Sequence, residues 1–92
     1  MAEVKEVALG VASVVGKKGL PNPLIVTFRG QPLREAADIV RMIVSECDDA
    51  GIVIKKIEID QDLEAHISSN GYGGSAPLVV KHDLLGEMKI FT

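Results

Sequence analysis

Leu24-Ile25-Val26-Thr27-Phe28, then Arg29-Gly30-Gln31-Pro32, then the run from Leu33 to Asp49, is the stretch on which the fold turns. Its first five residues are apolar or β-branched, the composition of a strand buried on both faces. Arg29-Gly30-Gln31 reads as a tight turn, and Pro32 stands where proline is best tolerated, in the first turn of a helix. Beyond it Leu33, Ala36, Ala37, Val40, Ile43, Val44 and Cys47 recur at helical spacing, flanked by Arg34, Glu35, Asp38, Arg41, Glu46 and Asp48. Gly51 closes that helix. A strand running through a short turn into an amphipathic helix is the first half of a crossover unit, which points to an α/β class.

Upstream, Val4, Val7, Ala8, Val11, Val14 and Val15 form a second helical stripe, predicting a helix over about 3–15. Valine is only a fair helix former and Gly10 weakens the helix further, so it must depend on packing. Gly16-Lys17-Lys18-Gly19-Leu20-Pro21-Asn22-Pro23 breaks the chain before the strand. Downstream, Ile52 to Ile59 reads as a second strand, with Ile57 and Ile59 facing opposite to Lys56 and Glu58. Asp60-Gln61-Asp62 supplies the cap for a short helix from Leu63 to about Ser69. Asn70-Gly71-Tyr72-Gly73-Gly74 reads as a flexible loop, Leu78 to Lys81 as a third strand, and Glu87 to Phe91 as a fourth. The intervening His82-Asp83-Leu84-Leu85-Gly86 is short enough for an antiparallel hairpin. The 92 residues thus predict one domain, 1–92, with no internal repeat.

Composition narrows the function classes. The chain is 47% hydrophobic, but Phe28, Tyr72 and Phe91 are its only aromatics, so the core is aliphatic and base-stacking platforms are disfavoured. A net charge of −3 with scattered basic residues argues against nucleic acid. No apolar run reaches the roughly 20 residues of a membrane span. Cys47 alone excludes an intrachain disulfide and fits a reducing compartment, and an N-terminus that is acidic where a signal peptide is basic adds to a cytoplasmic expectation.

The element order resembles the thioredoxin-like and glutaredoxin-like family, over roughly residues 23–92. Three segments carry the likeness. Lys56-Ile57-Glu58-Ile59-Asp60-Gln61-Asp62 is similar to the family's second central strand and its Asp-rich end. Ser75-Ala76-Pro77-Leu78-Val79-Val80 is similar to the entry that carries its cis-proline. Gly30-Gln31-Pro32-Leu33-Arg34 stands in the place of Cys-Gly-Pro-Cys-Lys and lacks both cysteines. Leu24 falls where the family has a buried acid. The resemblance implies a three-layer sandwich around a four-stranded mixed sheet, with an extra N-terminal helix and, the chain ending at Thr92, no C-terminal helix. Either the leading helix covers the face that the absent helix would have covered, or an apolar patch is left there for a partner chain.

Thiol–disulfide exchange needs an accessible, acidified cysteine. Cys47 lies on the apolar stripe near the C-terminal end of its helix, where the helix dipole disfavours a thiolate, so it reads as a small core residue and a dithiol oxidoreductase is not expected. His66 and His82 have no metal-ligand spacing, Asp60 and Asp62 read as caps, and Gly71, Gly73 and Gly74 precede a strand rather than the helix that a phosphate cradle requires. No catalytic residue, metal or cofactor is expected. The resemblance implies instead a groove in which Gly30, Gln31, Pro32 and Arg34 face Ser75, Ala76 and Pro77 and hold an extended polypeptide by main-chain hydrogen bonds. The expected function is a redox-inactive module binding a protein partner or a second copy of itself. The competing use of the same groove is glutathione or another small thiol, held at the helix N-terminus at Gln31–Arg34.

Overall fold

The computed structural model of the chain describes residues 4–15, 21–28 and 30–92. In chain order these form α1 (Val4–Val14), β1 (Leu24–Thr27), α2 (Leu33–Asp49), β2 (Lys56–Ile59), α3 (Gln61–Ser69), β3 (Leu78–Val80) and β4 (Glu87–Phe91). Residues 16–20 of the breaker expected at 16–23, and the turn residue Arg29, lie outside the described residues. The fold is α/β, with three helices and one open, mixed sheet of four strands in the order β1-β4-β2-β3.

The helices form where their apolar stripes require. Ala36, Ala37, Ile39, Val40, Ile43, Val44 and Cys47 of α2 are buried, and α2 packs against α1 on one side and α3 on the other. At its end the Gly51 backbone takes φ 73°, so that Gly51 N–H donates to the Asp48 carbonyl (3.1 Å) and Ile52 N–H to the Cys47 carbonyl (2.8 Å). This pair of bonds satisfies the last helical carbonyls and turns the chain out of the helix layer. It also explains why the second strand begins at Lys56 rather than Ile52: residues 52–55 climb from the helix to the sheet. Asp60 caps α3 as its sequence predicts, accepting a 2.8 Å bond from Leu63 N–H while itself buried. Asp60→Ala should cost about 1 kcal/mol of unfolding free energy; a denaturation midpoint unchanged from the parent would show that α3 needs no cap.

The sheet corrects three expectations. First, β3 and β4 do not form a hairpin: β3 pairs only with β2, in parallel, while β4 lies between β1 and β2 and is antiparallel to both. Residues 81–86 therefore cross over the end of β2 to reach the centre of the sheet. Buried Leu84 anchors that crossing, and Phe28 N–H donates to Gly86 carbonyl at 2.7 Å where it lands.

Second, there are two layers, not three. Directly paired residues share a face of the sheet. One face carries Leu24, Val26, Met88, Ile90, Ile57, Ile59 and Leu78, which join α1, α2 and α3 in a single core cluster. The other carries Ile25, Thr27, Glu87, Lys89, Phe91, Lys56, Glu58 and Val79, and no described helix lies over it. Helix α1 lies beside α2 and α3 occupies the same layer, so no described helix covers the far face. Third, β1 is not buried on both faces: Val26 is 9% exposed and Ile25 53%. An apolar run here marks an edge strand with one wet face. The approach to its start is tied to the last residue, Asn22 Nδ2 donating to Thr92 carbonyl (3.0 Å) and Thr92 N–H to Asn22 Oδ1 (3.2 Å).

Candidate functional site

The two halves of the expected groove do not meet. Gly30, Gln31, Pro32 and Arg34 stand at the β1–α2 turn, with Pro32 as the N-cap residue of α2 and no side-chain cap bond. Ser75, Ala76 and Pro77 stand at the entry to β3, and Ser75 Oγ donates to Asp48 Oδ1 at 2.8 Å in the last turn of α2. The helix itself separates them: Arg34 and Asp48 are roughly 21 Å apart at about 1.5 Å rise per residue. The sheet agrees, since β1 and β3 are its opposite edges and run parallel, so the end of one and the start of the other lie at opposite ends. The physical cause is the insertion of β4 between β1 and β2. The Ala76–Pro77 bond is trans; the cis bond among the described residues is Asn22–Pro23. The helix N-terminus at Gln31–Arg34 is likewise left without the strand entry that would complete a thiol-peptide site.

The segment read as a flexible loop is pinned. Tyr72 Oη donates to Ala76 carbonyl at 2.7 Å, Ala76 is buried, and Gly74 lies so close to Val44 and the Tyr72 ring that a Cβ there would overlap both. Beside it a shallow depression of about 340 Å³ is lined by Arg41, Ser45, Asp48, Asp49, Tyr72, Gly73 and Gly74. Arg41 is engaged internally: it donates to Asp38 Oδ1 (2.6 Å) and to the His66 (2.7 Å) and Ile67 (3.2 Å) carbonyls, closing the end of α3. Its Nη atoms are thus spent on the fold, while its buried Nε has no hydrogen-bond partner.

Cys47 is fully buried, and its thiol is pushed up from its ordinary value, first by burial and then by the neighbouring Asp48 and Glu46 carboxylates. Burial, followed by Asp48, raises the Tyr72 phenol in the same way. Both groups are therefore held neutral in the folded chain, while the unfolded chain ionises its thiol from roughly pH 8.5 upward. A raised acid contributes stability that is complete below its unfolded value and is lost as pH climbs through that range. The urea midpoint should fall between pH 7 and pH 10, and fall less in Cys47→Ala; an identical drop in both proteins would show that Cys47 does not contribute. His66 and His82 are exposed, and among the described residues no group of three or more His, Cys, Asp or Glu side chains is placed to hold a metal ion. No helix among the described residues is long and apolar enough to cross a membrane.

What the residues do assemble is the bare face of the sheet. At its centre Glu58 is 8% exposed despite the absence of an overlying layer. Lys56 Nζ lies 3.3 Å and Lys81 Nζ 3.9 Å from Glu58 Oε2, and Glu58 pairs across the ladder with Lys89 and Val79. The same Lys56 Nζ sits 4.5 Å over the centre of the Phe91 ring. The long lysine stems lie along the sheet and leave their ammonium groups in water. Three lysines against Glu58 and Glu87 make this face basic in a chain of net charge −3. Ile25 and Val79 add apolar surface at its two edges. The alternation in Lys56-Ile57-Glu58-Ile59, and the unread one in Glu87-Met88-Lys89-Ile90, is the signal in the sequence by which such a face could have been found.

Compared with family models, with curated proteins and with solved structures, the chain matches none of them.

Proposed function

We propose that the chain is a non-catalytic protein-interaction module whose contact surface is the bare face of its sheet, and that its partner is a polypeptide presenting acidic side chains there. The observation that supports this reading is the lysine cluster of Lys56, Lys81 and Lys89 around nearly buried Glu58, flanked by Ile25, Phe91 and Val79. Charge complementarity steers association and selects partners, and the apolar rim supplies area to bury. The resemblance to thioredoxin-like domains enters this reading as element order and as a strand–helix turn without cysteine; the groove implied by that family has no part in it.

The test is retention of cellular proteins on the immobilised chain, read by mass spectrometry beside a variant with Lys56, Lys81 and Lys89 all changed to glutamate. The expected result is a small set of acidic proteins lost by the reversed variant and kept by a Glu46→Lys, Asp49→Lys control on the helical side. Retention indifferent to the three lysines would overturn the reading.

A further inference from the structure

The two edges of the sheet are not alike. In the β1–β4 ladder Phe28 bonds inward to Gly86, and by the alternation of an antiparallel pair Val26 and Leu24 follow it. The N–H and C=O groups of Ile25 and Thr27 therefore point away from the sheet. On β3, Pro77 carbonyl and Lys81 N–H bond inward to Ile57 and Ile59, which leaves Leu78 and Val80 pointing outward. Folded proteins commonly blunt such edges by shortening the strand or by placing proline and charge on it. The β3 edge has all three, being three residues long between Pro77 and Lys81. The β1 edge has no charge from Pro23 to Phe28, is β-branched at Ile25, Val26 and Thr27, and exposes half of the Ile25 side chain. Preceded likewise by a proline, Pro23, but one residue longer and with no charge next to it, it is the less guarded edge among the described residues.

We infer that β1 pairs antiparallel with β1 of a second copy, making a two-fold dimer with one continuous eight-stranded sheet. Setting Ile25 opposite Thr27 of the partner, with the axis beside Val26, uses all four outward groups of each strand and closes four main-chain hydrogen bonds. The strand is uncharged, so pairing with itself sets no like charges against each other. The flanking strand is compatible with the same register. Ile25 is paired to Lys89 and Thr27 to Glu87, so each row across the dimer joins a lysine on one side to a glutamate on the other. Slipping by two residues sets Lys89 against Lys89, or Glu87 against Glu87. This inference deepens the proposed function by naming a second copy as one partner and by doubling the lysine-bearing face, but it stands on the edge and not on the lysines. A contact of four to five residues per copy is small, at the weak end of specific interfaces.

Thr27→Pro decides the matter. The Thr27 N–H makes no bond to β4, so proline removes an outward donor and leaves the internal ladder intact, the one setting in which a strand tolerates it. Val80→Pro does the same on the other edge. Sedimentation velocity from about 1 to about 500 µM should show the parent passing from monomer to dimer and Val80→Pro following it. Thr27→Pro and Ile25→Lys should stay monomeric with unchanged circular dichroism. A parent that is monomeric throughout, or a dimer that survives both β1 variants and yields to Val80→Pro, overturns the inference. Neither result touches the lysine-dependent retention that tests the function itself. If Thr27→Pro unfolds, Ile25→Lys, at an exposed side chain, gives the same answer.

Discussion

Ile57→Ala should lower the unfolding free energy by about 3 kcal/mol or more, while Ile25→Ala, in the same sheet, should cost less than about 1 kcal/mol. Ile57 has no exposed surface, is flanked on the core face by Ile90 and Leu78, and sits in the cluster that unites sheet and helices. Truncating it removes buried methyl and methylene groups and leaves a cavity that its packed neighbours fill only in part. Ile25 lies on the bare face, already half in water, and loses little. The total stability of a domain this size is roughly 5–14 kcal/mol, so the first variant should show a large shift in its urea midpoint. Equal losses at the two positions would mean that both faces are covered, and the two-layer description would fall.

Gly74→Ala should cost about 2–3 kcal/mol, an unusual outcome for adding a single methyl group in a loop. The backbone at Gly74 is not in the left-handed region; the cause is space. The new Cβ would meet Val44 Cγ1 and, at 2.7 Å, the Cζ and Oη atoms of Tyr72. Val44 is buried in the middle of α2 and Tyr72 is held by its bond to Ala76 carbonyl, so neither yields without loss. Combining Gly74→Ala with Val44→Ala should recover part of the loss, giving a coupling of about 1 kcal/mol in a double-mutant cycle. Additive effects would place the loop away from α2 and remove the anchoring described for residues 70–77.

Much of the outline was legible in single residues. The spacing of Ala36, Val40, Ile43 and Cys47 gave α2 to within a residue. Asp60 announced the start of α3, and Gly51 the turn after α2. These features depend on contacts within a few residues, where helix periodicity and capping act directly. The burial of Cys47 followed from its place on the same stripe. The expected groove failed for a different kind of reason. Gly30–Arg34 and Ser75–Pro77 were each placed rightly at the start of an element, but their meeting depended on which strands are neighbours. A link of six residues between β3 and β4 permits a hairpin and equally permits a crossing over β2, and nothing local distinguishes them.

The amino-acid order by itself determined the helices, their caps, the strands and the absence of an acidified cysteine, because each rests on near neighbours and on side-chain chemistry. Tertiary structure alone decided that β4 enters between β1 and β2, that the three described helices share one side, and hence that Glu58 and its lysines stand on the face that no described helix covers. Strand neighbours are chosen by the burial of Met88, Ile90 and Ile57 against residues far away in the chain. That choice belongs to the whole core, and it sets the lysines on the face away from the described helices and β1 at an edge of the sheet.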